Sequence, residues 1–318
     1  SVAESLVSAG VTDPFEFYKY IHLKDLGNVI GAGMGGQLNT SGSFFQRKMG
    51  MEVQSDCLQE MLINVMPAWI NMLILGACGP IKTPVQACAT AGVSMEMGCD
   101  LIHTGKAKVV FVGGSEDVSE MGLTEFGNMG ALCNADEQFE QGRGPRELSR
   151  PTTSTRAGFI EGAGAGTQIM MTAELALQMG LPIYGIVAHT HTACDKINRS
   201  VPAPGRGILS AIARTEGGNP EVRKLLDPDY RNKALSQSLT FNMGLPEEVI
   251  RDYWGRTYYH SIDEISNLEG AMSVWGVTDI SICSFHGTST KGNDFNESYV
   301  CNSVLEHVNN KTPRPVVA

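Results

Sequence analysis

Two stretches of this sequence hold residue types suited to covalent acyl chemistry. The run TPVQACATAGVS places Cys88 where a strand-like segment turns into a helix-like one. Ala87, Ala89, Ala91 and Gly92 surround it, and small neighbours let a sharp turn pack tightly while the thiol stays open. The first N–H groups of a helix favour a thiolate and can hydrogen-bond an oxyanion. A small buried cysteine that merely fills space fits the local pattern equally well. The second stretch, SICSFHGTSTKGND, sets His286 just past a buried strand, at the edge where α/β sheets gather their sites. Gly287 and the hydroxyls of Thr288, Ser289 and Thr290 follow, and those hydroxyls can bind an amide-rich substrate arm. A nucleophilic thiol with an imidazole partner is the chemistry such a pair would perform.

A third stretch, NVIGAGMGGQL, carries Gly31, Gly33 and Gly36 at the G-x-G-x-x-G spacing of dinucleotide sites. Such a site needs a helix straight after the glycines, and a second strand bearing an acidic residue. The following QLNTSGSFFQRKMGM shows no clean helical period, and Glu52 leads into a helix instead of closing a βαβ unit. The glycines are therefore read as permitting close backbone approach. Met34, large and pliable on that loop, suits the wall or gate of an apolar tunnel. HTHTACD (His189, His191, Cys194, Asp195) lacks the spacing of zinc sites and is read as an exposed strand end, so no metal is expected. Glu116, Asp117 and Glu120 read as a solvated acidic loop.

The elements that position these residues alternate between strand and helix. Val29 and Ile30 lead into the glycine loop. Residues 57–75 read as one buried helix, 80–88 as a short strand and 90–103 as a helix stopped by Gly105. Residues 107–112 are a buried strand closed by Gly113 and Gly114, and 115–156 show no period. A strand near 158–171, a helix near 172–180 and a strand at 183–189 follow. Residues 214–262 read as an insertion, 264–277 as a helix, 280–285 as a buried strand and 296–310 as a helix. The recurring alternation argues for a layered α/β fold with buried sheets.

Composition narrows the function classes. The 318 residues are 42% hydrophobic and 18% charged, which suits a large buried core. A net charge of -10 without a Lys/Arg cluster argues against nucleic acid. The 8 cysteines include no C-x-x-C pair and sit mostly in apolar runs, as buried thiols of a reducing compartment do. The most apolar run, MLINVMPAWINMLIL, is broken by Asn64, Pro67 and Asn71, so no membrane span is expected. The absence of an initiator Met and the apolar end PRPVVA suggest a piece of something longer.

ACATAG around Cys88 and FHGTSTKGND around His286 resemble the active-site motifs of β-ketoacyl synthases of the thiolase-like fold. The resemblance extends to the ketoacyl synthase region in the α subunit of fungal type I fatty acid synthases. It runs over NVIGAGMGG, GPIKTPVQACATA, EFGNM, SRPTTSTRAGF, MGLPIYGIVA, KINRSVPAPGRGIL and LEGAMSVWG. It implies a thiolase-like layered α-β-α-β-α fold of two similar βα halves, with the C-terminal part missing from this chain. Residues 1–190 would form the half carrying the nucleophile. Residues 191–318 would hold the connecting insertion and an incomplete half with the first catalytic His. The implied reaction is decarboxylative Claisen condensation of a Cys88-bound acyl chain with malonyl-carrier. His286 would stabilise the enolate oxygen or assist decarboxylation, Thr288 and Thr290 would hold the pantetheine arm, and Gly33 and Met34 would line the acyl tunnel. Ser289 belongs to the same hydroxyl run.

The resemblance also implies partners. An acyl carrier protein would deliver acyl and malonyl thioesters on its phosphopantetheine arm. Synthase regions would pair as a homodimer inside a large cytoplasmic α/β assembly. No cofactor is implied in this region, and NADPH and FMN would serve only other domains. The family's second catalytic His in G-H-x-x-G-A, its Lys and its Gly-Phe-Gly loop are not found here. Ala32, Gly76-Ala77-Cys78, Gln86 and Gly92-Val93 look unusual for housekeeping synthases. Changes near the tunnel leave open a paralogue making a short starter, such as a hexanoyl unit, for a polyketide or mycotoxin pathway. A Cys-His thioester hydrolase and a non-catalytic chain-length partner stay as rivals. A thiolase would need a second catalytic Cys, and neither Cys283 nor Cys301 has a matching context.

Overall fold

The computed structural model describes residues 1–187, 190–193, 283–293, 296–298 and 316–317. The expected insertion at 214–262, the helix at 264–277 and most of the helix at 296–310 lie outside the described residues. In chain order the elements are α1 (Val2–Ser8), α2 (Phe15–Tyr18), β1 (Leu26–Gly31), α3 (Gln37–Lys48), α4 (Cys57–Met61), α5 (Val65–Leu73), β2 (Ile81–Lys82), α6 (Thr90–His103), β3 (Val109–Glu116), α7 (Glu120–Asn128), α8 (Ala135–Glu140), β4 (Gly164–Met171), α9 (Ala173–Met179), β5 (Cys283–Ser284) and β6 (Val316–Val317). Among the described residues no helix is long and apolar enough to cross a membrane. Contacts divide the chain into two compact units. The first is Ser1–Gly130 with Glu161–Thr192, and the second is Ala131–Ile160 with Ala193–Ala318.

The first unit is built on a four-stranded sheet in the order β2-β1-β3-β4. β1 pairs parallel with both β2 and β3, and β4 closes the far edge antiparallel to β3. β3 is buried on both faces because its residues alternate sides. Val109 and Phe111 join Phe17, Leu26 and Ile74 in one core, while Val110 and Val112 join Val29 and Leu101 in the other. Phe17 meets Phe111 edge-on, at a centroid distance of 6.2 Å. α6 covers the second core and presses Leu101 onto the sheet. Thr172 caps α9 by accepting from the Leu175 N–H, and Gly180 ends that helix in the left-handed conformation.

Several expectations change here. Residues 37–48 are helical although they lack an apolar period, so a helix does follow the glycine loop. The apolar stretch 57–75 forms two helices, not one buried helix. Leu58 (68% exposed), Trp69 (53%) and Met72 (68%) face outward, and Pro67 occupies the first turn of α5, where its missing N–H costs no helical bond. The strand expected at 80–88 is only Ile81–Lys82. β3 runs on through Gly113 and Gly114 to Glu116, paired on both sides; a Cβ on Gly113 would strike the Gly166 carbonyl, and one on Gly114 would crowd Ala91 of α6. The stretch 115–156 holds α7 and α8, started by the side-chain caps Ser119 and Asn134. Residues 183–187 make no strand. Cysteine burial is also mixed: Cys133 is buried, Cys57 and Cys99 half-buried, Cys78 and Cys88 exposed.

The second unit is described around residues 131–160 and 283–293. Leu132 bridges Phe159, and β5 pairs parallel with β6. β6 is thus a strand at the apolar run Val316-Val317.

Candidate active site

Cys88 sits on a strained turn. A short 3-10 segment, Ala87–Ala89, joins the chain after β2 to the first turn of α6. Ala87 adopts a φ of 48°, a left-handed conformation that costs a residue with a Cβ about 1–2 kcal/mol. The buried Thr90 offsets that strain. Its Oγ1 accepts from the Gln86 N–H at 3.0 Å and donates to the Ala87 carbonyl at 2.6 Å, tying both sides of the turn together. Cys88 is left exposed at the helix start, where N–H dipoles favour an anion.

The glycine loop packs onto this turn. A Cβ on Gly31 would lie 2.2 Å from Thr90 Cγ2 and 2.7 Å from the Pro84 carbonyl oxygen. Gly36 has a φ of 82°, and a Cβ there would come within 2.2 Å of the Met61 carbonyl oxygen. Two glycines of the apparent fingerprint thus serve close backbone approach. A helix does follow them, but the parallel neighbour on that side, β2, comes only at Ile81, and Glu52 lies in a loop.

Between those glycines the loop is held by a carboxylate. Glu116, the last residue of β3, accepts from the Gly33 N–H at 2.6 Å through Oε2 and from the Met34 N–H at 2.8 Å through Oε1. Gly33 also lies against the elbow, since a Cβ on it would be 3.5 Å from the Ala87 carbonyl oxygen. Met34 lines a narrow, half-open crevice with Ser119, Leu123, Phe126 and Glu161. Burial, with the charge of Glu116 adding to it, pushes the Glu161 carboxyl up from its ordinary range. Glu116 is therefore half-buried and paired, unlike the solvated acid expected from its neighbours Asp117 and Glu120.

In the second unit, His286 is exposed and stands two residues after β5. Glu297 holds its backbone by accepting from the His286 N–H and from the Gly287 N–H at 3.1 Å, and it also takes the Asn293 amide at 2.7 Å. Thr288 and Thr290 are half-buried, and their hydroxyls lie 3.0 Å apart. Ser289 differs from its neighbours. It is fully buried at a φ of 62°, its hydroxyl accepts from the Arg150 N–H, and its carbonyl accepts from the Gly158 N–H. It braces the turn from inside and does not face a substrate arm. Arg156 adds donors to the carbonyls of Thr290 and Lys291. The first unit thus gathers Gly33, Met34 and the Cys88 elbow, and the second gathers His286, Thr288 and Thr290.

From sequence alone Thr90 and Glu297 carry no assigned role, and Glu116 reads as a solvated acid. Thr90 has a local signal, a hydroxyl two residues after the cysteine, at the start of α6. Glu116 and Glu297 act on backbone N–H groups and leave no pattern in spacing alone.

A family model for the N-terminal domain of β-ketoacyl synthases matches residues 1–176. The fatty acid synthase α subunit of Lachancea kluyveri is 43% identical over 356 aligned residues, spanning 100% of this chain and 19% of that protein. The chain thus covers a minor share of the relative's length. The ketosynthase FabY from P. aeruginosa superposes with a TM-score of 0.71 at 24% identity, over 100% of this chain and 43% of that one. A type II polyketide ketosynthase bound to a hexaketide and solved with its acyl-carrier protein, AntDE:AntF, gives 0.58 at 16% identity, over 93% and 60%. These two likenesses are of fold.

Proposed function

The chain belongs to the β-ketoacyl synthase family, condensing acyltransferases of thiolase-like layered α/β fold, and from that premise we propose that it lengthens acyl chains by decarboxylative condensation in fatty acid synthesis. The observation that carries this reading is the exposed Cys88 on a strained turn at the start of α6, with the Gly33–Met34 loop packed beside it.

In this reading the Cys88 thiolate attacks the thioester of an acyl chain carried on a phosphopantetheine arm. The arm's sulfur leaves, and the acyl group stays on Cys88 Sγ. The Cys88 backbone N–H donates to the oxyanion formed on the way. Gly33 and Met34 line the space that the chain fills. A malonyl-carrier then enters, its arm on the hydroxyls of Thr288 and Thr290, and loses carbon dioxide. His286 donates a hydrogen bond to the enolate oxygen as charge builds there. The enolate carbon attacks the Cys88 thioester, the C–S bond breaks, and a β-ketoacyl carrier two carbons longer departs. The sequence is redox-neutral, so it calls for no nucleotide in this region.

In this reading the nucleophile belongs to a half spanning residues 1–190, and His286 to the part spanning 191–318. The partners are an acyl carrier protein and a second synthase region, within a larger cytoplasmic fatty acid synthase assembly. The 19% span within the Lachancea kluyveri subunit supports a place in such a multidomain protein.

The test uses the intact protein with labelled acyl-carrier and malonyl-carrier. One β-ketoacyl carrier and one carbon dioxide should appear per turnover. Cys88→Ala should abolish condensation, and His286→Ala should slow it about 100-fold or more. Release of free fatty acid without any need for malonyl-carrier would mark a thioester hydrolase and overturn the reading.

A further inference from the structure

We propose that Glu116 sets which acyl chains the synthase accepts, by fastening the Gly33–Met34 backbone over the crevice beside the nucleophile elbow. The proposal rests on the reading of Met34 as a wall of the acyl site.

The pairing follows from topology. β1 and β3 are parallel neighbours in register at Gly31 and Gly114, so the loop leaving β1 passes the end of β3. Glu116 ends that strand, 83 residues from Gly33 in sequence, and gives one oxygen to each of two consecutive N–H groups. Bonds to a carboxylate are the strong kind, and a two-oxygen grip also fixes orientation.

The grip matters because the crevice is narrow and Met34 forms part of its wall. Met34 points toward α7, where its Cε lies 3.4 Å from the position of a Cβ on Gly122. Ser119 at the start of α7 donates to Gln37 Oε1 at 2.6 Å, so the loop is tied to α7 on its far side as well. Met34 fills the space beside Gly122 of α7, so a chain that extends this way must first displace the Met34 side chain. A side-chain rotation alone admits a short stretch of chain, whereas a longer one needs the backbone of residues 33–34 to shift. That shift breaks the bonds to Glu116. The carboxylate therefore selects against chains long enough to demand it.

Three variants of the intact synthase test this: Met34→Ala, Glu116→Ala and Glu116→Gln. The readout is kcat/KM for loading Cys88 from short and from long acyl-carriers, expressed as a long-to-short ratio. Met34→Ala should raise the ratio. Glu116→Ala should raise it about tenfold, the size expected for losing bonds to a charged acceptor, and Glu116→Gln should fall between it and the wild type because its amide oxygen still accepts one bond. The change should lie in the ratio, since a merely structural role would lower loading of all chains alike. If Met34→Ala shifts the ratio and both Glu116 variants leave it within twofold of wild type, the fastening role is wrong and the reading of Met34 stands. If Met34→Ala leaves the ratio unchanged, Met34 is not a wall of the acyl site and the inference falls with that reading. Should Glu116→Ala fail to fold, the near-isosteric Glu116→Gln decides alone.

Discussion

Replacing Thr90 by Val removes a hydroxyl from the nucleophile turn and keeps nearly the same shape. In the folded chain that hydroxyl accepts the Gln86 N–H and donates to the Ala87 carbonyl. Each group left unpaired costs about 1–3 kcal/mol, and because these two are only part-buried the lower end applies, giving about 1–2 kcal/mol together. That is comparable to the strain of Ala87 at a φ of 48°. Without the tie, the turn drifts toward unstrained conformations, and its competent form falls about 5–30-fold in population. Rapid-quench acyl loading read by intact mass should show Thr90→Val acylating Cys88 slower by that factor. Thr90→Ser keeps the hydroxyl and should stay within a few-fold of wild type. Wild-type loading by Thr90→Val would refute the claim that Thr90 holds the elbow.

Two other perturbations follow from the same geometry. Gly31→Ala drives a Cβ to 2.2 Å from Thr90 Cγ2 and 2.7 Å from the Pro84 carbonyl oxygen; overpacking of this kind costs about 1–3 kcal/mol, so the denaturation midpoint and Cys88 loading should fall together. A midpoint equal to wild type would mean that the turn gives way freely. Glu161 is held above the ordinary carboxyl range by burial and by the Glu116 charge, so the folded state keeps a proton that the unfolded state loses as pH rises. Stability must then drop as pH climbs from the ordinary value through the raised one. Glu161→Gln should flatten that drop and raise Tm at pH 7, and parallel pH curves for the two proteins would contradict it.

Much of the chemistry was legible in the residues themselves. Cys88 among small neighbours announced a tight turn, and the run AKVVFV announced the buried strand that became the centre of the sheet. What escaped was decided by contacts distant in sequence. Gly113 and Gly114 read as a stop, yet they continue β3, because they pair with Ile30 and Gly31 on one side and with Thr167 and Gly166 on the other. Asn39, Thr40, Ser41 and Gly42 are poor helix formers, yet they lie within α3, after a left-handed Gly36 set against the Met61 carbonyl. Residues 57–75 looked buried because they are apolar, and Trp69 and Met72 show that apolar composition does not decide which way a helix faces. Glu116 and Ser289 changed roles for one reason: a polar side chain beside a turn can serve backbone N–H groups instead of solvent or substrate.

The central claim is that Cys88 carries the growing chain. Intact protein incubated with an acyl-carrier thioester, digested and mapped by mass spectrometry, should hold one acyl group on the peptide containing Cys88. Adding malonyl-carrier should discharge it into β-ketoacyl product. An acyl group found on another residue, or a Cys88 peptide that stays unmodified while product forms, would contradict the account.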